Sequence, residues 1–157
     1  MRNPYQRKSA NSNSIAHTIV SPEEQYKQFM HAIVAQTKLY SLYDNGWALC
    51  STPSGQRTLA VWQTKGMAEL LIRDKWQTYH VEEIQLISFI EQVIPHLRQT
   101  NTHLSLNLMP EGQNVLVSGR QFLIDLKAYL YQLSIESPEM VNRPGVPSPR
   151  RIRIHDK

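Results

Sequence analysis

Apolar residues recur along the chain at two periods. Tyr26, Phe29, Met30, Ile33 and Val34 share one helical face. Ser21-Pro22-Glu23-Glu24 precedes them and supplies an N-cap, a first-turn proline and the acid of a capping box. This predicts a helix from Pro22 to about Thr37. Phe122, Leu123, Leu126, Leu130 and Leu133 form a second stripe, for a helix over 119–133. Phe89, Ile90, Val93, Ile94 and Leu97 form a third, behind a second capping box at Ser88 and Glu91. Pro95 falls inside that helix and predicts a kink, because it lacks an N–H and crowds the preceding turn. A shorter helix is expected from Thr64 to about Asp74, with Met67, Leu70 and Leu71 facing inward.

Elsewhere the pattern is that of strands. Lys38–Tyr43, Trp47–Cys50 and Thr58–Gln63 are separated by the turns Asp44-Asn45-Gly46 and Thr52-Pro53-Ser54-Gly55. The simplest arrangement is a three-stranded antiparallel meander. Trp76–Val81 reads as a short extended piece. In His103–Leu108 the leucines 104, 106 and 108 point one way and His103, Ser105 and Asn107 the other. Pro110-Glu111-Gly112 then turns the chain into a short strand at Asn114–Val117. The order α-β-β-β-α-β-α-β-β-α lacks strict βαβ alternation. It predicts an α+β single domain, a mixed or antiparallel sheet of about five to six strands packed with about four helices.

Both ends break these patterns. Residues 1–20 are rich in Asn, Ser and bases and read as a flexible arm. Residues 136–157 hold Pro138, Pro144, Pro147 and Pro149 and read as a Pro/Arg-rich tail, which leaves 21–135 as the folded domain. Charge follows the same division. The first 20 residues carry three bases and no acid, and 136–157 carry five bases and three acids. The stretch 21–135 has nine bases against ten acids. The net charge of +4 therefore belongs to the ends, and the body offers no basic field for nucleic acid.

With 157 residues, 41% hydrophobic and 19% charged, the composition excludes a collagenous chain, a coiled-coil rod and a wholly disordered chain. The lone Cys50 excludes an internal disulfide and a four-cysteine zinc site, and fits a reducing cytoplasm. Apolar runs such as Ala68–Ile72 are far below the ~18 residues that cross a bilayer. No apolar stretch follows Arg2, Arg7 and Lys8, so no secretory signal is expected.

A further pattern lies in the order of short motifs. Leu39-Tyr40-x-Leu42 precedes a turn, Gly46-Trp47 follows, and Val61-Trp62 is followed by Ala68. Trp76, Tyr79, Ile84, Phe89 and Pro95-x-Leu97 continue the series, and Asp125-Leu126 closes it. From about Tyr26 to Leu133 the chain resembles a bacterial family called domain of unknown function 2750. More distantly, the strand ending in Trp62 and the Leu104–Pro110 segment look like the N-terminal domain of serine-sensitivity enhancer (SseB-like) proteins. The resemblance implies a compact cytoplasmic α+β module without an established catalytic site. It carries over no functional residues.

Candidate chemistry is sparse. His80, Glu82 and Glu83 form an H-x-E-E string, and His80 with Glu82 would share a strand face, but two ligands do not make a metal site. His31, His96 and His103 could act as general bases, yet no nucleophile elbow accompanies them. Cys50 has no evident activating partner. Gly55-Gln56-Arg57 and Ser118-Gly119-Arg120 each pair a glycine with a base, a weak anion-binding signal beside a plain turn. Trp62, beside Ala60 and Val61, reads as core. Trp47 and Trp76 sit at element ends and, with Arg57, form a candidate partner-binding set. Arg150, Arg151 and Arg153, with His155 and Lys157, form a candidate anion contact without aromatics for base stacking.

The expectation is a cytoplasmic, non-enzymatic module that binds another protein, with no catalytic residues, cofactor, metal or membrane contact. The alternative is association with nucleic acid or an anionic surface through the basic ends. An enzyme of unrecognised type stands third.

Overall fold

The computed structural model describes residues 20–154. Residues 1–19 and 155–157, which include most of the expected arm as well as His155 and Lys157, lie outside the described residues. Helix α1 (Pro22–Gln36) begins as expected, with the Ser21 hydroxyl accepting from the Glu24 N–H at 3.1 Å. Strands β1 (Lys38–Tyr43), β2 (Leu49–Ser51) and β3 (Arg57–Val61) come next. They are followed by the short helix α2 (Lys65–Glu69), a 3-10 turn (Asp74–Trp76) and β4 (His80–Gln85). α3 (Leu86–Ser88), a π-helical segment (Phe89–Val93) and α4 (Ile94–Gln99) then succeed one another directly. β5 (His103–Leu106), β6 (Val115–Val117) and the long α5 (Gly119–Glu136) complete the expected body.

The fold is α+β, and the central sheet is mixed. Its order is β2-β3-β5-β6, with β3 and β5 parallel and the outer pairs antiparallel. The meander is corrected: β2 and β3 form a hairpin, but β1 pairs with β4, from Lys38 opposite Gln85 to Tyr43 opposite His80. The cause is a corner at Ala48. Its N–H donates to the Leu42 carbonyl of β1 at 3.0 Å, while its own carbonyl accepts from Ala60 of β3 at 3.1 Å. The chain changes sheets within one residue, and besides this corner β1 meets the larger sheet through the bridges Tyr40–Trp62 and Tyr43–Trp47 and the Ser41 hydroxyl on the Ala60 carbonyl.

Two apolar cores lie on the two faces of the central sheet. Leu59, Val61, Leu104 and Leu106 face α1, α4 and α5 and pack with Phe29, Ile33, Ile94 and Leu126. Phe89 meets Phe122 edge-on there, centroids 5.7 Å apart. Ala60 points the other way, into a smaller core with Leu42, Ala48, Trp62, Ala68 and Trp76. The Trp62 indole is wholly buried and donates to the Leu108 carbonyl at 2.7 Å, which satisfies its one polar atom.

Several boundaries differ from expectation for local reasons. α2 stops at Glu69 because Leu71 and Ile72 bond three residues back, to Ala68 and Glu69. That tightening turns Leu70 outward, to 53% exposure. Ser88 is not a cap: it has helical dihedrals and no capping bond, and the helical run starts earlier, at Leu86. The Ile94 N–H bonds to Phe89, five residues back, so the π-helical segment resets the register just before Pro95. The proline thereby sits in the first turn of α4.

The largest correction concerns residues 136–154, the described part of the stretch 136–157 that the composition marks as a tail outside the domain. α6 (Pro138–Val141) and a 3-10 turn (Pro149–Arg151) fold back onto the body. Val141, Val146 and Ile152 enter the main core, and Ile152 is only 2% exposed. Arg143 explains how the segment is held. Its guanidinium donates to the carbonyls of Val34 (2.8 Å), Ala35 (3.1 Å) and Met140 (3.0 Å). Val34 and Ala35 are in the last turn of α1, where carbonyls have no partner within the helix. Their two successors are also satisfied: the Gln36 carbonyl accepts from the Thr37 hydroxyl and the Thr37 carbonyl from Leu86 N–H. Prolines interrupt periodicity, but they do not prevent irregular segments from burying apolar side chains.

Candidate partner-binding surface

The docked C-terminal segment builds a cleft of about 600 Å³ against the end of α5. Tyr131 and Ser134 form one wall; Val141, Pro144, Val146 and Pro149 form the apolar remainder, with Arg150 at the rim. Tyr131 is 44% exposed and Ile135, one turn further on, is 76% exposed. Residues four apart share a helix face, so these two side chains form an apolar pair pointing away from the Phe122–Leu130 stripe. Ile135 is the most exposed large hydrophobic residue among those described.

The rim is basic. Pro149 and Ile152 are buried, which anchors the turn between them. The Lys127 ammonium holds the Ile152 carbonyl at 3.2 Å. Arg150, Arg151 and Arg153 are all exposed on this fixed strip. The expected anion-contact residues are therefore mounted on the core rather than strung on a free tail.

The other expected docking residues do not converge. Trp76 is corrected: it is 5% exposed, with its ring edge-on to Trp62 at 6.3 Å, so it belongs to the small core. Its position just before a turn suggested exposure, but the 3-10 turn folds it inward. Trp47 is half-buried, edge-on to Tyr43 at 5.0 Å and packed on the main core. Arg57 is exposed in a separate polar cleft with Ser51, Gly55 and Asn101.

Two of the four candidate histidines, His80 and His31, meet side-chain partners, while His96 is exposed and His103 half-buried. His80 faces Glu82 at 3.1 Å, both in contact with solvent, while Glu83 turns to Lys38 at 3.6 Å. Among the described residues no group of three His, Cys, Asp or Glu side chains could hold a metal ion. His31 bonds the Tyr129 hydroxyl at 3.0 Å across α1 and α5. Tyr26 donates to Asp125 at 2.7 Å on the same seam, and Gln121 donates to the other oxygen of that carboxylate. Burial first, then the bond to Asp125 and its charge, push the Tyr26 phenol well above its ordinary range. Burial likewise raises the Cys50 thiol, only partly opposed by Lys75 and a bond to Thr58, which disfavours a reactive thiolate. Gly119 packs against Ile94 and Arg98, and its helix is capped conventionally, Ser118 accepting from Gln121 N–H.

Sequence reasoning missed Tyr131, Ile135 and Arg143. A signal existed for the first two, since they are an apolar pair at i and i+4 lying off the inward stripe of their helix. Arg143 had none, because two of its three acceptors are backbone carbonyls more than 100 residues away in the chain.

Fold and surface together define a class: an α+β domain with helices and a smaller core on opposite sides of a mixed sheet. The chain belongs to the family described as protein of unknown function (DUF2750), whose model matches residues 26–126. No curated protein and no solved structure matches the chain. The match does not reach the cleft, which is built from residues 131–150. No helix among the described residues is long and apolar enough to cross a membrane.

Proposed function

We propose that this chain is a non-enzymatic, protein-binding domain of the bacterial cytoplasm, and that its docking surface is the C-terminal cleft. The observation that carries this reading is the exposed pair Tyr131 and Ile135 on one helix face, with Tyr131 also lining the cleft. Burying such a side chain contributes about 1.5–3 kcal/mol, and an aromatic neighbour at a cleft edge is typical of a binding hot spot. The neutral body, the partners of His31 and His80 and the raised Cys50 thiol support binding over catalysis.

The test places a photo-reactive phenylalanine analogue at position 135 of the full chain inside its native cells, with the exposed Gln77 as the control position. A discrete protein adduct at 135, absent at 77 and resistant to nuclease, is expected. Labelling of nucleic acid alone, or no adduct beyond the control, overturns the proposal.

A further inference from the structure

The charge of the cleft rim bears on what kind of segment binds there. Arg150 lines the cleft, and Arg151 and Arg153 continue from it as exposed side chains. The buried Pro149 and Ile152 fix the backbone beneath all three. Ordering an arginine costs rotamer entropy, but here the main chain carrying it is already ordered. Exposed guanidinium side chains on an ordered backbone, one of them lining a cleft with apolar walls, are complementary to carboxylates flanking apolar side chains.

We infer that the cleft takes an acidic polypeptide segment, with one or two large apolar residues seated against Tyr131 and Ile135 and its carboxylates on Arg150, Arg151 and Arg153. This deepens the protein-binding reading and rests on it. A polypeptide is favoured over nucleic acid by the surroundings of the row. The hollow has apolar walls at Tyr131, Val141, Pro144 and Val146 beside its polar ones, and Glu136 and Glu139 are exposed on the adjoining ends of α5 and α6. A duplex backbone, uniformly anionic and without apolar groups, would leave the hollow unfilled and meet those carboxylates. A short peptide can place apolar and acidic groups separately.

The test uses a random peptide library displayed on phage and selected on the immobilised full chain. Peptides that combine Leu, Ile or Phe with two or more nearby Asp or Glu residues are expected to dominate. Synthetic copies of the winners should bind at least about 10-fold more weakly once their acids are replaced by amides. They should also weaken markedly between low and high salt, because exposed charges are screened beyond ~10 Å at 0.1 M. Reversing the row with R150E, R151E and R153E should shift selection toward basic peptides, while urea unfolding confirms that the variant folds. The inference is overturned if no sequence is enriched, if winners show no excess of acids, or if the reversed variant selects the same peptides. It is also overturned if a 20-base-pair duplex binds more tightly than the winning peptides. Adduct formation at position 135 is read separately, so peptides without acidic bias alongside a protein adduct would defeat this inference and leave protein binding standing.

Discussion

Arg143→Ala tests whether residues after 135 are part of the fold. The side chain makes three bonds to carbonyls, two of them at the end of α1. α1 has no basic residue in its own last turn, so Arg143 also supplies the positive charge that a helix C-terminus favours. A hydrogen bond to a charged group contributes about 1.5–3 kcal/mol when its loss leaves the partner unsatisfied. The site is half-buried, so water replaces some of those contacts in the variant. The expected loss is therefore about 2–4 kcal/mol rather than the sum of three full bonds. In a domain of this size the melting temperature should fall by roughly 5–15 °C. Urea titration of the full chain gives the loss directly, provided the dependence on denaturant is unchanged. Arg143→Lys should recover only part of the stability, since an ammonium cannot span two carbonyls as a planar fork does. A loss below about 0.5 kcal/mol for the alanine variant would refute the docking and return residues 138–154 to the status of a tail.

Three further outcomes follow from other contacts. Gly145 has φ +91, and a Cβ there would lie 3.0 Å from that of Thr37, so Gly145→Ala should cost about 1–3 kcal/mol in the same titration. Combined with Arg143→Ala it should cost less than the two separately, because both release one segment. Leu126 is wholly buried in the main core, and Leu126→Ala should lose about 2–5 kcal/mol; under about 1 kcal/mol would mean that α5 is not packed as described. Tyr26 gives a pH dependence. Its phenol is raised above the ordinary value of 10.0, so above that pH the unfolded chain loses a proton that the folded chain keeps, and stability falls as pH rises. Tyr26→Phe should flatten the alkaline limb of a stability–pH curve, and an unchanged limb would show that Tyr26 does not govern it.

The parts of the fold that were legible in the sequence are those fixed by local rules. Ser21 and Ser118 cap their helices through side-chain bonds to residues three ahead, and Leu104 and Leu106 alternate as a strand should. What escaped was set by partners distant in the chain. β1 has the pattern of a hairpin strand, and only the switch of Ala48 between two backbones assigns it to β4. Pro95 reads as a kink until the extra residue in the π-helical segment is seen. The Pro-rich end looked unstructured because burial at Val141, Val146 and Ile152 follows no helical or strand period. Of the candidate site, the arginines were legible as a charge cluster, but their rigid mounting and the hollow beside them were not. Trp76 was misplaced because exposure at an element end depends on which way the next turn folds.

The parallel pairing of β3 with β5 has a consequence for how the chain comes together. It joins Thr58 to His103, so the central ladder closes only after 45 further residues are available. Everything between them, including β4 and the proline-bearing helical run, must be made first. During synthesis the β2–β3 hairpin emerges with Leu59, Ala60 and Val61 on an open edge, a template for pairing with another copy. Distant contacts of this kind slow folding, because the entropy of closing the loop is lost before the pairing repays it. β1 and β4 can pair before β5 exists, and through the Tyr40–Trp62 bridge they already hold one end of β3. That small sheet lies on the β2 side of β3, where Ala60 and Trp62 bond Ala48 and Tyr40, so the opposite edge, where Val61 later accepts from Asn107, stays open until β5 slides in beside it. Delaying the arrival of β5 at that edge should therefore show first as aggregation during refolding, before any change in the finished protein.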